Sequence, residues 1–399
     1  MSAAPARLWH VVPALGVTQI IGWGSLYYSI SVLASAMAAS LDCSCSWIFG
    51  AFSVSLATSG LAAPAAGRAI DRLGGRAVLC AGSLLAALAL ALIALAPSLP
   101  WFFAGWLLAG IAMACCLYDA AFPALSQLAG AHYRRALTAL TLFGGLASTA
   151  FWPLAWQLER SFDWRTALLS FAALHLLLCF PLHRWVLPKI PPKPPRTDST
   201  SEPARPGLSP TLRRSLILLA AAFTLNAFVF SGIGAHVVGA LSAATGEATQ
   251  AVWIASLIGP LQVTGRILEF SVARRLSARM VGLTCFALTT LAMFLLWQAA
   301  ELSVLALLFV IIYGAANGVM TIVRGTVPVE LFGREQFGRI NGQIAAPAFF
   351  AKACAPMLIA LLLDQGGRYT QMALVLAVIS AAAFVFYLKA NQGLDRSDS

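Results

Sequence analysis

Apolar residues dominate this chain in long runs, and the polar positions gather in the gaps between them. A helical run of roughly 20 apolar residues matches the hydrocarbon thickness of a bilayer. Twelve such runs occur, near 11–35, 47–66, 77–96, 101–128, 137–158, 166–187, 215–240, 249–270, 280–299, 303–328, 340–362 and 370–388. The pattern predicts an all-α membrane protein with twelve transmembrane helices.

Charge then orients it. Hydrophobic residues make up 60% of the chain and charged residues only 10%, yet the net charge is +11. Twenty of the 26 basic residues fall at the termini or in even-numbered gaps. They are Arg7; Arg68, Arg72 and Arg76; Arg134 and Arg135; Arg184, Lys189, Lys193, Arg196, Arg205, Arg213 and Arg214; Arg274, Arg275 and Arg279; Arg334 and Arg339; Lys389 and Arg396. The odd-numbered gaps hold only Arg160, Arg165 and Arg368. Basic flanks stay cytoplasmic, so both termini are expected in the cytoplasm of a cell (inner) membrane. Nucleic-acid binding needs a basic face on a soluble domain, and these charges sit in short gaps beside lipid head groups instead. Residues 1–10 carry one Arg and run into an apolar stretch too long for a secretory signal. The eight cysteines show no metal-ligand spacing and read as small core residues.

Between Pro188 and Pro210 the composition changes to Pro, Ser and charge without apolar period, which favours an extended linker. The expected domains are 1–187, a cytoplasmic linker over 188–212, and 213–399, with six spans in each half. The halves echo each other at an offset of 203 residues, where Arg72, Leu73 and Arg76 recur as Arg275, Leu276 and Arg279. A second echo sets Asp119 four residues before Pro123 and Arg324 four before Pro328. Repeated halves are common in secondary transporters, with the site at the interface of the repeats.

The segment Gly67-Arg-Ala-Ile-Asp71-Arg72-Leu-Gly74-Gly-Arg76 resembles the signature G-x-x-x-D-[RK]-x-G-x-[RK] of the major facilitator superfamily, between helices two and three. Gly67 allows close helix approach, Asp71 caps a helix terminus or pairs with an Arg, and Gly74 makes the turn. In that family the loop is a cytoplasmic latch, a role the resemblance assigns to Asp71, Arg72 and Arg76. In the second half Phe270 replaces the first Gly and Arg274 replaces the acid. The resemblance extends over twelve spans, the central linker and Asp163-Trp164-Arg165 entering helix six. It implies two pseudo-symmetric six-helix bundles working by alternating access.

Arg266, Arg324 and Lys352 fall inside expected spans. Ionisable groups in a bilayer are costly unless they face a cavity or a partner, so each is a functional candidate. Arg266 in helix eight with Lys352 in helix eleven resembles the oxalate:formate antiporters and monocarboxylate porters, where such residues bind substrate carboxylates. Arg holds a carboxylate bidentately. Those porters place an acid one turn before their Arg, where this chain has Gln262. The structural alternatives are pairing of Arg266 with Glu269 or snorkelling, and pairing of Arg324 with Glu330 or Asp119. Asp119, Arg324 and His236 are the candidates for coupling or charge relay. His236 lies near the outer end of its span, within reach of water.

In the family's packing, helices one, four, seven and ten line the path. Gln19, Tyr27, Tyr28, Asn226, Tyr313 and Asn317 are therefore candidate lining residues, with Tyr27, Tyr28, Asn226 and Asn317 among the substrate contacts. Trp152 and Trp156 flank Pro153 and read as packing around a kink. The Gly-Pro-Gly-Gly motif of drug:proton antiporters is missing from Leu142–Trp156. No His-Glu-x-x-His, Gly-x-Ser-x-Gly or ATP-binding loop occurs, and the tail after Lys389 is too short for a signalling domain. The expectation is a monomeric secondary transporter of a small organic anion, without enzyme activity, cofactor or metal, driven by a gradient in which a proton is one candidate coupling ion. The alternative is an exporter of drug-like or amphipathic compounds.

Overall fold

The computed structural model describes residues 4–189, 209–272, 276–332 and 337–395, and all regular structure among them is helical. Eleven helices are long and apolar enough to cross a membrane. The bent pair Leu8–Tyr28 and Ile30–Ser40, with 42° between its parts, is the twelfth if counted as one span. The others are Cys45–Leu73, Gly75–Ala94, Leu99–Ala129, Arg135–Ser161, Trp164–Val186, Pro210–Thr245, Ala248–Glu269, Ala278–Gln298, Val304–Phe332, Gly342–Asp364 and Tyr369–Gln392. They are called the first to twelfth spans in chain order. Most of the linker expected at 188–212, together with Arg274 and Arg275, lies outside the described residues.

The chain divides into two compact units, Met1–Thr197 and Asp198–Ser399. Both use the same pairings. In the first unit the fourth span packs on the second and third, the first on the fifth, and the third on the sixth. In the second unit the tenth packs on the eighth and ninth, the seventh on the eleventh, and the ninth on the twelfth. Each unit has its own apolar core, one around Leu15, Leu79, Ala120 and Leu140, the other around Phe223, Phe286, Val323 and Tyr387. Phe286 and Tyr387 stack at 4.6 Å in the second.

Several spans are irregular, and the irregularities place polar groups. The first span passes through a π-helical stretch at Gly24–Tyr28 before its bend. The fourth breaks at Leu117, whose backbone is extended. A break leaves carbonyls without helical partners, and Gln19 Nε2 donates to the Cys116 carbonyl at 2.8 Å. Gln19 thus ties the first span to the fourth and is fully buried, which corrects its assignment to the path lining. The sixth span starts from Asp163, whose carboxylate accepts from the Thr166 N–H at 2.6 Å as an N-cap. That bond holds its carboxyl below the usual range. Two π turns, His175–Cys179 and Leu182–Val186, follow in the same span.

Candidate functional site

The signature segment lies at the joint between the second and third spans. It is hardly a loop: the helix Cys45–Leu73 continues seven residues past the expected end at 66, because Ala, Ile, Leu and Arg all favour helix. Gly74 stops it at φ 84°, a conformation that suits only glycine. Gly67 is not a close-approach glycine, since a Cβ there meets nothing within 4 Å. Asp71 and Arg72 are exposed in the last helical turn and Arg76 is half-buried. Asp71 does not cap the third span, whose N-cap Gly74 has no side-chain bond.

Gln127, from the end of the fourth span, makes the joint instead. Its Oε1 accepts from the Gly75 N–H at 3.1 Å and its Nε2 donates to the Ile70 carbonyl at 3.2 Å. The second unit repeats the device at the same offset of 203 residues. Glu330 accepts from the Ala278 N–H at 2.6 Å and pairs with Arg279 at 3.1 Å. The first unit has neutral Gln127 at that position and offers Arg76 no charge there. Sequence reasoning missed both residues, although the offset of 203 points from Gln127 to Glu330. Their bonds also fix the register of the repeat, and the echo of Asp119 with Arg324, offset by 205, is out of register by two residues. Two residues are about 200° of helix rotation, so the two side chains occupy different faces. Gln127→Ala removes two hydrogen bonds worth about 1 kcal/mol each. It is expected to lower the melting temperature by about 2–8 °C, measured by thermal unfolding in detergent.

Asp119 lies in the first turn of the half-helix Tyr118–Ala129, where a helix N-terminus favours negative charge, and it is exposed. Arg324 is exposed on the tenth span, and the Glu330 carboxylate expected to meet it is held by Arg279 and Ala278. His236 is buried rather than within reach of water, with Nε2 donating to the Pro356 carbonyl at 2.9 Å. One turn earlier in the eleventh span, Lys352 has lost the usual acceptor role of its carbonyl because Pro356 carries no N–H. Ser231 Oγ donates to that carbonyl at 2.7 Å. Ser231 and His236 therefore join the seventh span to the eleventh on either side of Lys352, which is half-buried.

Arg266 is buried, at 5% exposure, with Nε donating to the Gly318 carbonyl at 3.0 Å. Burial at that level excludes snorkelling. The eighth and tenth spans touch here through backbone: a Cβ on Gly318 would lie 2.2 Å from the Gln262 carbonyl oxygen. Gln262, Arg266, Asn317 and Gly318 are thus brought together, while Lys352 is positioned from the seventh span and Asn226 is half-buried on it.

In the first unit Tyr27 and Tyr28 are buried in an aromatic cluster. Trp23 meets Tyr27 at 5.3 Å and Tyr118 at 5.2 Å, and Tyr28 meets Trp152 at 5.4 Å. Trp152 Nε1 donates to the Tyr28 carbonyl at 3.0 Å, in the π-helical stretch. Trp152 is therefore a tie between the fifth and first spans as well as packing beside Pro153. Trp156 lies under Arg160, whose guanidinium carbon is 4.9 Å from its ring.

The sequence matches the Major Facilitator Superfamily over residues 14–269. The chain belongs to that superfamily. It is a transmembrane transporter of the alternating-access class, acting on a small molecule. Solved structures with the same fold include the nucleoside transporter NupG, with a TM-score of 0.72 at 19% identity over 96% of this chain and 98% of that one. A bacterial homolog of the human lysosomal transporter Spinster gives 0.73 at 14%, over 99% of both chains. The human organic anion transporter MFSD10 (TETRAN) gives 0.64 at 20%, over 96% and 99%. At these identities the likeness is one of fold. No curated protein matches in sequence.

Two further groups in this transporter escaped the sequence reading, His175 and His183 of the sixth span. Both are buried and hydrogen-bonded to hydroxyls of neighbouring spans. Their spacing in an apolar run was the available signal. Among the described residues no group of three or more His, Cys, Asp or Glu is placed to hold a metal.

Proposed function

We propose that this superfamily member carries a small organic anion, a mono- or dicarboxylate, and that Arg266 and Lys352 of the second unit bind it. The observation that carries this reading is the buried, oriented guanidinium of Arg266. Its Nε–Gly318 bond sets the plane of the fork, and a planar fork is what a carboxylate recognises. Lys352, on a span stapled from both sides, supplies a second cation in an apolar environment. Among proteins of the same fold, one is described as an organic anion transporter. Tyr27, Tyr28, Asn226 and Asn317 complete the contacts, and Asp119, Arg324 and His236 are the sequence candidates for charge relay. The 67–76 joint, with Gly67, Asp71, Arg72, Gly74 and Arg76, acts as the conformational latch. The distribution of basic residues supports cytoplasmic termini in the cell membrane.

The second reading, a drug-like or amphipathic substrate, is favoured by the cluster of Trp23, Tyr27, Tyr28, Tyr118 and Trp152. Flat aromatic surfaces of this kind suit an amphipathic or aromatic solute.

The test is a thermal-shift screen of purified protein with acetate, lactate, oxalate and succinate beside hydrophobic amines. Ligand that binds the folded state raises its melting temperature. A carboxylate is expected to stabilise the protein, and Lys352→Gln to lose that response while melting normally. An undiminished carboxylate response in Lys352→Gln removes Lys352 from the site, and a response to the amines alone favours the second reading.

A further inference from the structure

His183 lies in the π turn Leu182–Val186 of the sixth span, between the first and third spans. Its Nδ1 is 2.9 Å from Ser83 Oγ and its Nε2 is 3.0 Å from Thr18 Oγ1. Each hydroxyl has one hydrogen, and each is already within donating distance of a carbonyl of its own helix. Ser83 Oγ is 3.1 Å from the Leu79 oxygen and Thr18 Oγ1 is 2.9 Å from the Leu15 oxygen. With both hydroxyl hydrogens on those carbonyls, both oxygens can only accept from the ring. Both ring nitrogens then donate, which is the imidazolium. In the neutral ring one nitrogen is bare, and one hydroxyl turns its hydrogen from its carbonyl to that nitrogen.

His175, two turns earlier, differs. Its Nε2 is 2.9 Å from Ser25 Oγ, whose own hydrogen is directed at the Ile21 carbonyl at 2.6 Å. Ser25 therefore accepts, Nε2 carries the hydrogen, and Nδ1 is bare. That Nδ1 is buried without a hydrogen-bond partner among the described residues. A proton added there has no acceptor.

We propose that His183, with Thr18 and Ser83, is a reversible proton-binding site within the first unit, and that His175 beside it remains neutral. The proton comes from water and adds to the bare ring nitrogen, and the hydroxyl facing it rotates back to its helix carbonyl. Every polar atom of the site is hydrogen-bonded before and after, so uptake needs one hydroxyl rotation and no repacking. A charge inside a bilayer is tolerated where it has partners, and here it has two. The titratable and charged groups on the packed elements are Arg7 and His10 on the first span, Arg76 and Cys80 on the third, and His175, Cys179 and Arg184 on its own. None is a carboxylate, so hydroxyl and carbonyl dipoles do the stabilising. The site ties three spans together, which is where a coupling proton would act in a gradient-driven carrier. It stands independently of the anion reading.

The five histidines make the test tractable. Protein labelled with ¹⁵N-histidine is reconstituted in lipid nanodiscs, and its ring nitrogen signals are followed from about pH 8 to about pH 4.5. His183→Asn and His175→Asn assign the signals. The expected result is reversible conversion of the His183 ring to imidazolium in a protein that stays folded by circular dichroism, while His175 keeps a single neutral Nε2–H form. Thr18→Val removes one of the two acceptors and is expected to move the His183 conversion to more acidic pH by about one unit. That variant also assigns His183 if His183→Asn does not fold. A His183 ring that stays in one neutral form throughout, or a conversion unmoved by Thr18→Val, overturns the proposal.

Discussion

Gly318→Leu is expected to yield almost no folded protein. The eighth and tenth spans meet backbone to backbone at this position, and an ideal Cβ already lies 2.2 Å from the Gln262 oxygen and 2.8 Å from its carbonyl carbon. A flexible side chain yields to an added methyl, but a helix backbone held on its other faces does not. Membrane helices associate through small residues that let backbones approach. A Leu here forces the two spans apart along their whole contact, costing about 3 kcal/mol or more. The same displacement moves the carbonyl that orients Arg266. Gly318→Ala carries the same clash with fewer atoms and is expected to fold with a visibly lower melting temperature. Gly67→Ala is the control, with nothing within 4 Å of its Cβ. Size-exclusion profiles and melting curves of the three variants decide the matter. A monodisperse Gly318→Leu with wild-type melting would mean that the two spans are not seated against each other at this glycine.

Arg266→Lys is expected to abolish the carboxylate response while leaving a folded protein. Lysine keeps the charge, but its single ammonium cannot donate to the Gly318 carbonyl and present a planar fork at once. A hydrogen bond to a charged group is worth about 1.5–3 kcal/mol, so the loss is about tenfold to a hundredfold in affinity. Arg266 is at 5% exposure, so the outcome also separates recognition from packing. If the guanidinium serves only to seat the eighth span on the tenth, Arg266→Lys melts lower and its carboxylate response persists. If it binds substrate, the response disappears and melting changes little. Titrating oxalate and lactate against the variant's melting temperature reads both quantities from one sample.

Legibility from the sequence differed by residue. The spans, the repeated joint and the superfamily were readable, because each rests on a quantity local to one segment. Gly74 is an example: a glycine directly after Arg-Ile-type helix formers marks where the second span must stop, and its φ of 84° is the form such a stop takes. Gly67, three turns of thought away in the same motif, was not readable in this sense. Whether a helical glycine meets another helix depends on which way its face points, and this one points at no neighbour.

Twenty apolar residues in a row bury favourably in a bilayer wherever they occur, and basic flanks are retained on one side whatever the packing. The sequence alone therefore determined the helical class, the number and approximate place of the spans, the offset of 203 between joints, and the list of ionisable groups inside spans. Partners were decided by tertiary structure. Each residue added or skipped turns a helix by about 100°, and this chain has π turns at Gly24–Tyr28, His175–Cys179 and Leu182–Val186 and a break at Leu117. Such irregularities redirect every side chain beyond them, and proline at Pro356 frees a carbonyl that only a neighbouring helix can satisfy. That is why Glu330 meets Arg279 rather than Arg324, why Gln19 closes a broken helix rather than lining a path, and why His236 binds a carbonyl instead of water. Hydrophobicity is a property of a segment and can be read along it, whereas a hydrogen bond between helices depends on the rotation of both.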